Sequence, residues 1–214
     1  MKKILAVSAH PDDMELESGG TIAKFARNGY DVYHLILTSG YKDRVSISVK
    51  QRRDEAKEVA DILGIKEVIF FDYQDTELKT NGEIISKVDK LVDKIKPDVC
   101  ISHHPFDSHQ DHKAASEIMF AVCRQGRVKN LLSGSPLPYR PNVFAFRPQF
   151  FVDITETIEI KLNAIRAYSS QYEKFGGEKL IECINAMAKN YGWAMGYKYA
   201  ECFEVIRMDD SLWL

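Results

Sequence analysis

Short apolar runs alternate along this chain with longer segments of helical apolar spacing, beginning at the third residue. Near-continuous apolar runs are typical of strands that are buried on both faces. Strand and helix in strict alternation predict parallel βαβ units with right-handed crossovers. The predicted strands are Lys3–Ala9, Asp31–Leu37, Glu67–Phe71 and Asp98–Ser102, and the predicted helices are Gly19–Ala26, Lys50–Leu63, Glu83–Ile95 and Asp111–Arg124. The predicted fold class is α/β, a Rossmann-like, doubly wound, mostly parallel sheet flanked by helices on both faces.

The rest of the chain continues with less regular spacing. Residues Gly126–Pro141 are rich in proline and glycine and predict a long loop, either an active-site rim or a plain connection. The elements predicted after it are strands at Val143–Phe146, Phe150–Ile154 and Cys202–Arg207 and helices at Thr155–Gln171 and Glu178–Asn190. A chain of 214 residues with this pattern predicts a single domain over residues 1–214.

The charge balance argues against several classes of function. Lys and Arg total 29 against 31 Asp and Glu, so no basic surface for nucleic acid or anionic membrane is expected. No stretch approaches the roughly 20 apolar residues that a transmembrane helix needs. The apolar run Ile4–Ala9 leads directly into His10 rather than into a signal cleavage site, and the four cysteines form no CxxC pair. We therefore expect a cytoplasmic protein with reduced cysteines.

Five of the six histidines fall in two short segments, each just after a predicted strand. The first segment contains His10, and the second runs from His103 to His112. These segments follow the first and fourth strands, which are neighbours in the common 3-2-1-4-5 order of a doubly wound sheet. Because ligands bind at the carboxyl ends of such strands, we expect the two segments to converge. His34 lies within an apolar strand and is expected to be a core residue.

Imidazole and carboxylate side chains in the same segments indicate a metal site. Catalytic zinc takes three protein ligands and keeps one position open for water. Two histidines and one carboxylate also suit Fe²⁺ or another divalent transition metal. Taken singly, these residues are ordinary helix caps or solvated loop residues, and it is their clustering that favours a functional site. Nucleotide and serine-hydrolase motifs are missing, because the chain has no GxGxxG after its first strand, no P-loop and no GxSxG.

At these residues the chain resembles the LmbE/PIG-L family of zinc-dependent N-acetylglucosaminyl deacetylases. The matching motifs are His10-Pro11-Asp12-Asp13 followed by Gly19-Gly20-Thr21, and His109-Gln110-Asp111-His112. Weaker similarity covers most of the chain, at Arg52–Gly64, Asp75, Phe151–Thr155, Ser170-Gln171 and Tyr199–Glu201. The resemblance implies an LmbE-like fold and hydrolytic activity on an amino sugar.

The resemblance implies roles for three residues of the first motif, His10, Asp12 and Asp13, and for His112 of the second. His10, Asp13 and His112 resemble the metal ligands, for which Zn²⁺ is the expected ion. Asp12 resembles the general base that takes a proton from the attacking water. Either Asp12 or His109 is then expected to act as the acid for the leaving amine.

Further expected roles concern the oxyanion and the substrate. His109 resembles the histidine that stabilises the oxyanion, in its protonated form, and Asp111 is expected to orient it. Arg52 stands where the family has a substrate-binding arginine, and Asp75 where it has a sugar-contacting acid. Without the resemblance, the highly charged run around Arg52 would be interpreted as a solvated helix face.

Three positions depart from the family pattern. Met14 stands where many relatives have glutamate, Glu17 where glycine is frequent, and Asp107 where some relatives have tyrosine. These departures leave the expected metal ligands in place and concern the identity of the substrate.

The function implied is removal of the N-acetyl group from an N-acetylglucosamine-type sugar or its conjugate, a small-molecule substrate. One alternative is hydrolysis of another amide, such as a thiol conjugate. Two others are a non-catalytic metal- or carbohydrate-binding module and a nucleotide-binding sugar-modifying enzyme. The resemblance and the apolar tail Ser211–Leu214 also favour a homo-oligomer.

Overall fold

The structure is a computed structural model that describes residues 2–40, 48–137 and 146–210. These residues form a seven-stranded sheet in the order β3-β2-β1-β4-β5-β7-β6. The strands are β1 (Lys3–Ser8), β2 (Asp31–Thr38), β3 (Glu67–Tyr73), β4 (Val99–Ser102), β5 (Leu131–Gly134), β6 (Phe150–Asp153) and β7 (Ala200–Arg207). The first five strands pair in parallel, and β7 pairs antiparallel with both β5 and β6. The predicted α/β class, the parallel sheet and the 3-2-1-4-5 order are confirmed.

Helices connect and cover these strands, as the alternation predicted. They are α1 (Asp13–Arg27), α2 (Val49–Leu63), α3 (Gly82–Ile95), α4 (Gln110–Val122), α5 (Ile158–Ala167), α6 (Ser169–Tyr172) and α7 (Glu178–Met195). The ends of α2 follow from local chemistry: the Ser48 side chain accepts a hydrogen bond from the Gln51 N–H, and Gly64 ends the helix at φ 74°. Among the described residues, no helix is long and apolar enough to span a membrane.

The sheet is buried on both faces, which explains its near-continuous apolar strands. In β1, Ile4 and Ala6 pack with helices α1, α2, α5 and α7, whereas Leu5 and Val7 pack with α3 and α4. Alternate side chains of a strand point to opposite faces, so each face requires its own apolar set. This three-layer arrangement fixes β1 and β4 side by side in the centre and brings their carboxyl ends together.

The structure differs from the predicted elements in the first helix and in the predicted long loop. Helix α1 begins at Asp13 instead of near Gly19, because the acidic first turn favours the positive end of the helix dipole. The predicted loop Gly126–Pro141 contains strand β5, which is only four residues long, ends in Gly134 and is followed two residues later by Pro136. The predicted strand Val143–Phe146 lies outside the described residues except for Phe146, and the tail Ser211–Leu214 lies outside them entirely.

Candidate metal and catalytic site

The two histidine segments converge, as expected, at the carboxyl ends of β1 and β4. The ring of His10, two residues after β1, lies 5.4 Å from the ring of His112 and 4.8 Å from that of His109. His109 forms the N-cap of α4, and His112 lies in the first turn of that helix. The site therefore combines the loop after the first strand with the start of the helix after the fourth.

Asp13 lies at the centre of this cluster. Its Oδ2 lies 3.3 Å from Nδ1 of His10, and its Oδ1 lies 3.2 Å from Nε2 of His112. The Oδ2 atom also accepts a 2.6 Å hydrogen bond from the backbone N–H of His10, which fixes the carboxylate in place. Burial raises the pKa of Asp13, but the histidines around it, first His112 and His10, lower it well below its usual value. The carboxylate is therefore ionised.

The remaining nitrogens of His10 and His112 face carboxylates. Nε2 of His10 lies 3.0 Å from Oδ2 of Asp111, and Nδ1 of His112 lies 3.2 Å from Oδ2 of Asp107. Burial lowers the pKa of His10, but Asp13, Asp111 and Asp75 together raise it well above its usual value, so without a metal this ring is protonated on both nitrogens. A bound metal ion would displace the proton on the Asp13 side, and the carboxylates would keep the protons on Nε2 of His10 and Nδ1 of His112, which leaves Nδ1 of His10 and Nε2 of His112 as the ligand atoms. This is the arrangement that orients histidine ligands of a metal ion.

The donor atoms of this cluster are able to bind a metal ion. Nε2 of His112 is buried and has no hydrogen-bond partner among the described residues, which is costly unless a metal engages it. With zinc bonds of about 2.0–2.1 Å, neighbouring ligand atoms of a tetrahedron lie roughly 3.3 Å apart. The separations of 3.3 Å and 3.2 Å around Asp13 are of that size, but they end on its two different oxygens, Oδ2 on the side of His10 and Oδ1 on the side of His112. Among the described residues, four overlapping sets of donor atoms lie within 4.8 Å of one another and could hold an ion: His10 with His109 and His112; His10 with Asp75, His109 and Asp111; Asp13 with His103 and His112; and Glu17 with Asp107 and His112. None of these sets contains His10, Asp13 and His112 together; Asp13 and His112 are grouped with His103.

His103 also lies beside Asp13, but its nitrogens are both engaged. Its Nε2 accepts a 2.9 Å hydrogen bond from the backbone N–H of Ala9, and its Nδ1 lies 2.9 Å from Oε1 of Glu17. Its ring stacks on the ring of His112 at a centroid distance of 3.8 Å. His103 therefore supports the ring of His112, and its Nε2, 3.3 Å from Oδ2 of Asp13, belongs with Asp13 and His112 to one of the sets of atoms that could hold an ion.

Asp12 lies next to Asp13 in an unusual backbone conformation. Its φ of 97° is in the left-handed region, which non-glycine residues rarely adopt. Its carboxylate is buried, and Oδ1 accepts a 3.0 Å hydrogen bond from Nη2 of Arg52. Burial raises the pKa of Asp12 above its usual value, although the nearby Arg52 offsets part of the increase. The expected general base and the expected substrate arginine are thus in direct contact.

His109 is half-buried beside His10. Its Nδ1 accepts a 3.2 Å hydrogen bond from the backbone N–H of Asp111, so its remaining proton is on Nε2. Burial lowers the pKa of His109 to about 4, and the neighbouring His10 and His112 contribute to the decrease. The structure therefore favours a neutral imidazole with an Nε2–H donor, in contrast to the protonated ring expected from the sequence.

Asp111 and Asp75 both contact His10. The contact of Asp111 with His109 runs through its backbone, whereas its carboxylate contacts Nε2 of His10 and accepts a 2.6 Å hydrogen bond from the Thr76 N–H. Oδ1 of Asp75 lies 3.2 Å from the same Nε2 atom. The carboxylate expected to orient His109 thus orients His10, and Asp75 lies at the edge of the same cluster.

Two residues that contact site histidines were noted in the sequence only as departures from the family pattern. Asp107 accepts a 2.7 Å hydrogen bond from the His109 N–H and contacts His112, and Glu17 contacts His103. Helical spacing offers a signal for Glu17, since it lies four residues after Asp13 and therefore on the same face of α1. His34 is buried with Nε2 2.9 Å from the Ser8 hydroxyl, which confirms it as a core residue.

Comparison with known proteins defines the class to which this fold and site belong. Residues 5–123, which include both histidine segments, match the PIG-L family, described as GlcNAc-PI de-N-acetylase. The chain belongs to this PIG-L (LmbE-like) family.

Particular relatives span most of the chain. It is 31% identical to diacetylchitobiose deacetylase from Thermococcus kodakarensis, over 94% of this chain and 82% of the relative. The structure of N,N'-diacetylchitobiose deacetylase from Pyrococcus horikoshii superposes with a TM-score of 0.83 at 28% identity, covering 96% of this chain and 84% of that chain. The chain is also 28% identical to 4-oxalmesaconate hydratase from Pseudomonas putida, over 79% of this chain and 74% of the relative. The family thus includes deacetylases and a hydratase.

Proposed function

We propose that this protein is a zinc-dependent deacetylase that hydrolyses the N-acetyl group of an N-acetylglucosamine-type sugar. The observation that carries the proposal is the grouping of Asp13 with two histidines whose other nitrogens face carboxylates, directly beside the buried carboxylate of Asp12. A protein that only stores a metal has no need of a carboxylate in that adjacent position. The similarity to the diacetylchitobiose deacetylases supports the choice of substrate class.

The metal-binding residues in this proposal are His10 through Nδ1, His112 through Nε2, and Asp13. When bound, Zn²⁺ lowers the pKa of a coordinated water to about 7 and polarises the carbonyl of the amide. Asp111 and Asp107 hold the two histidine rings in the orientation that this binding requires. The same ligand set also suits Fe²⁺ or another divalent transition metal.

Asp12 and His109 perform the proton transfer and the charge stabilisation. Asp12 takes a proton from the attacking water as the new C–O bond forms, and the Nε2–H of neutral His109 donates a hydrogen bond to the developing oxyanion. When the C–N bond breaks, Asp12 passes its proton to the leaving amine. The net reaction consumes one water and yields acetate and a free amino sugar. Because the pKa of His109 is lowered to about 4, its ring has no extra proton to give near neutral pH, and we assign this last proton transfer to Asp12.

Asp75 is the residue that we assign to substrate binding. Asp75 lies at the edge of the histidine cluster, where its carboxylate is placed to accept a hydrogen bond from a sugar hydroxyl. A small-molecule amino sugar or its conjugate is the partner that this site would hold.

The decisive experiment combines metal analysis with product analysis. Purified protein is loaded with zinc, its metal content is measured, and acetate release is followed with N-acetylglucosamine, N,N'-diacetylchitobiose and larger conjugates. About one zinc per chain with acetate release that disappears in the Asp12→Asn variant supports the proposal. Release of a larger acid from a thiol-conjugate amide indicates another amidase. Hydration of 4-oxalmesaconate without acetate release indicates the activity of the Pseudomonas putida relative.

A further inference from the structure

We propose that Arg52 is a positioning residue that holds Asp12 in its working conformation, and that Glu55 in turn holds Arg52. The inference rests on the proposed function, in which Asp12 is the base. It differs from the role that the family resemblance implied for Arg52, which was contact with the substrate.

The conformation of Asp12 requires an external restraint. Its φ of 97° and ψ of −21° are unfavourable for a residue with a side chain, and such conformations persist only where the surroundings impose them. Asp12 is the residue just before α1, and its side chain forms no capping hydrogen bond with that helix. The restraint must therefore come from another part of the fold.

Arg52 supplies that restraint from α2. Its Nη2 donates hydrogen bonds both to the backbone carbonyl of Pro11 and to Oδ1 of Asp12, the latter at 3.0 Å. One guanidinium nitrogen thus links the peptide group that precedes Asp12 with the carboxylate of Asp12 itself. This double contact fixes the backbone and the side chain of Asp12 together. Oδ2 is then the oxygen left to exchange a proton.

The guanidinium is enclosed by the protein. Only 3% of the Arg52 side chain is exposed, and its guanidinium lies 5.6 Å from the ring centre of Tyr168. Gly40, at φ 63°, lies against it, since a Cβ at Gly40 would be 3.2 Å from Nε of Arg52 and 2.8 Å from Cδ of Pro11. The contacts of Arg52 are internal: Nη2 bonds Pro11 and Asp12, Nη1 faces Ser170, and Nε is buried with no partner among the described residues. This is why we assign it to positioning.

Glu55 lies beside the other side of the guanidinium. Its Oε2 lies 3.8 Å from Nη1 of Arg52 on the same helix. Its Oε1 accepts hydrogen bonds from the N–H of Ser170 at 2.9 Å and from the hydroxyl of Ser169 at 3.0 Å. Glu55 is buried and joins α2 to the start of α6. The guanidinium therefore lies between the carboxylate of Asp12, which accepts its hydrogen bond, and that of Glu55, which is at ion-pair distance.

The test compares Arg52→Ala with Arg53→Ala, its neighbour on the same helix. Arg53 is partly exposed, pairs with Asp72 and packs on Phe70, away from Asp12. Displacing a catalytic group by about 1 Å costs on the order of 100-fold in rate. We expect Arg52→Ala to lower kcat about 100-fold while KM stays within about threefold. Added guanidinium ion should raise the kcat of this variant by a factor of at least about 10. Arg53→Ala should keep kcat and KM of the unaltered protein.

Two further variants separate positioning from general stability. Arg52→Lys retains the charge but has no planar fork, so we expect it to recover only part of the lost kcat. Glu55→Gln keeps an acceptor for Ser170 but loses the negative charge, and we expect a loss of kcat of about threefold to tenfold with unchanged zinc content. A Glu55→Gln enzyme with full kcat would remove Glu55 from the proposal.

Other outcomes overturn the assignment or the proposed function separately. If Arg52→Ala raises KM at least about tenfold with kcat retained, and weakens calorimetric binding of the product glucosamine in parallel, Arg52 contacts the substrate. If the unaltered zinc protein releases no acetate from any N-acetyl sugar, the proposed function fails. The positioning claim is then decided by the crystal structure of Arg52→Ala: an Asp12 that keeps its left-handed φ and its carboxylate position refutes it.

Discussion

Replacing Asp107 with asparagine should weaken zinc binding, although Asp107 is not one of the proposed ligands. Oδ1 of Asp107 accepts the 2.7 Å hydrogen bond from the His109 N–H, which leaves Oδ2 facing Nδ1 of His112 at 3.2 Å. In Asp107→Asn only the amide oxygen can accept the His109 N–H, so the amide NH₂ must face Nδ1 of His112. A donor at that position forces the proton of neutral His112 onto Nε2. Nε2 is the atom that the metal site needs without a proton.

The expected magnitude follows from this change of tautomer. Removing a partner that orients a histidine ligand costs about 10–100-fold in metal affinity. Because the substitution reverses the hydrogen bond as well as removing the charge, we expect the upper end, about 100-fold. A factor of 100 corresponds to about 2.8 kcal/mol of binding free energy.

The assay is competition for zinc against a fluorescent chelator at pH 7, with Glu17→Gln as the matched control. Glu17 contacts His103, whose Nε2 accepts the Ala9 N–H, so this control removes a buried charge beside a histidine that is not a proposed ligand. We expect the zinc Kd of Glu17→Gln to stay within about threefold of the unaltered protein, well under 1 kcal/mol. An Asp107→Asn protein whose Kd also stays within that range would refute the reasoning.

Three further predictions test the chemistry and the packing around α1. Asp12→Asn should reduce kcat by about 10²–10⁴-fold with unchanged zinc content, and retained turnover would remove it as the base. Gly20→Ala should lower the free energy of unfolding by about 1–3 kcal/mol in urea titrations, because its Cβ would lie 2.8–3.0 Å from Ile154; an unchanged midpoint would contradict this packing. Lys161→Met should lower the free energy of unfolding by about 3–5 kcal/mol, because it leaves the buried Glu201 carboxylate without the Lys161 amine that now lies 2.6 Å away. A measured loss below about 1 kcal/mol would show that the Glu201 carboxylate needs no cation.

The sheet and the location of the site could be predicted because they depend on local patterns. Apolar runs separated by helical segments predict parallel strands, and the usual strand order then places the ends of β1 and β4 together. His10 follows β1 after two residues, and His112 lies in the first turn of the helix that follows β4, so their convergence needed no knowledge of side-chain packing. Strand β5 escaped prediction because its four residues, which end in Gly134 shortly before Pro136, carry too short a pattern.

The partner of each charged side chain could not be predicted in the same way. The sequence assigns Asp111 to His109, its close neighbour, yet the structure aims its carboxylate at His10, 101 residues away. Arg52 belongs to a charged run typical of a solvated helix face, yet it is among the most deeply buried charged residues described. Both outcomes depend on how separate loops and helices pack, which no short window of residues encodes.

The sequence by itself therefore determined the class of fold, the edge of the sheet where chemistry is expected, and the residue types available there. Only the tertiary structure decided which nitrogen of each histidine faces Asp13, and which carboxylate holds each ring. Strand and helix formation depends on periodicity along the chain, over a few residues. Hydrogen bonds and ion pairs depend on distances of about 3 Å between groups that are remote in sequence, and those distances exist only once the layers have packed.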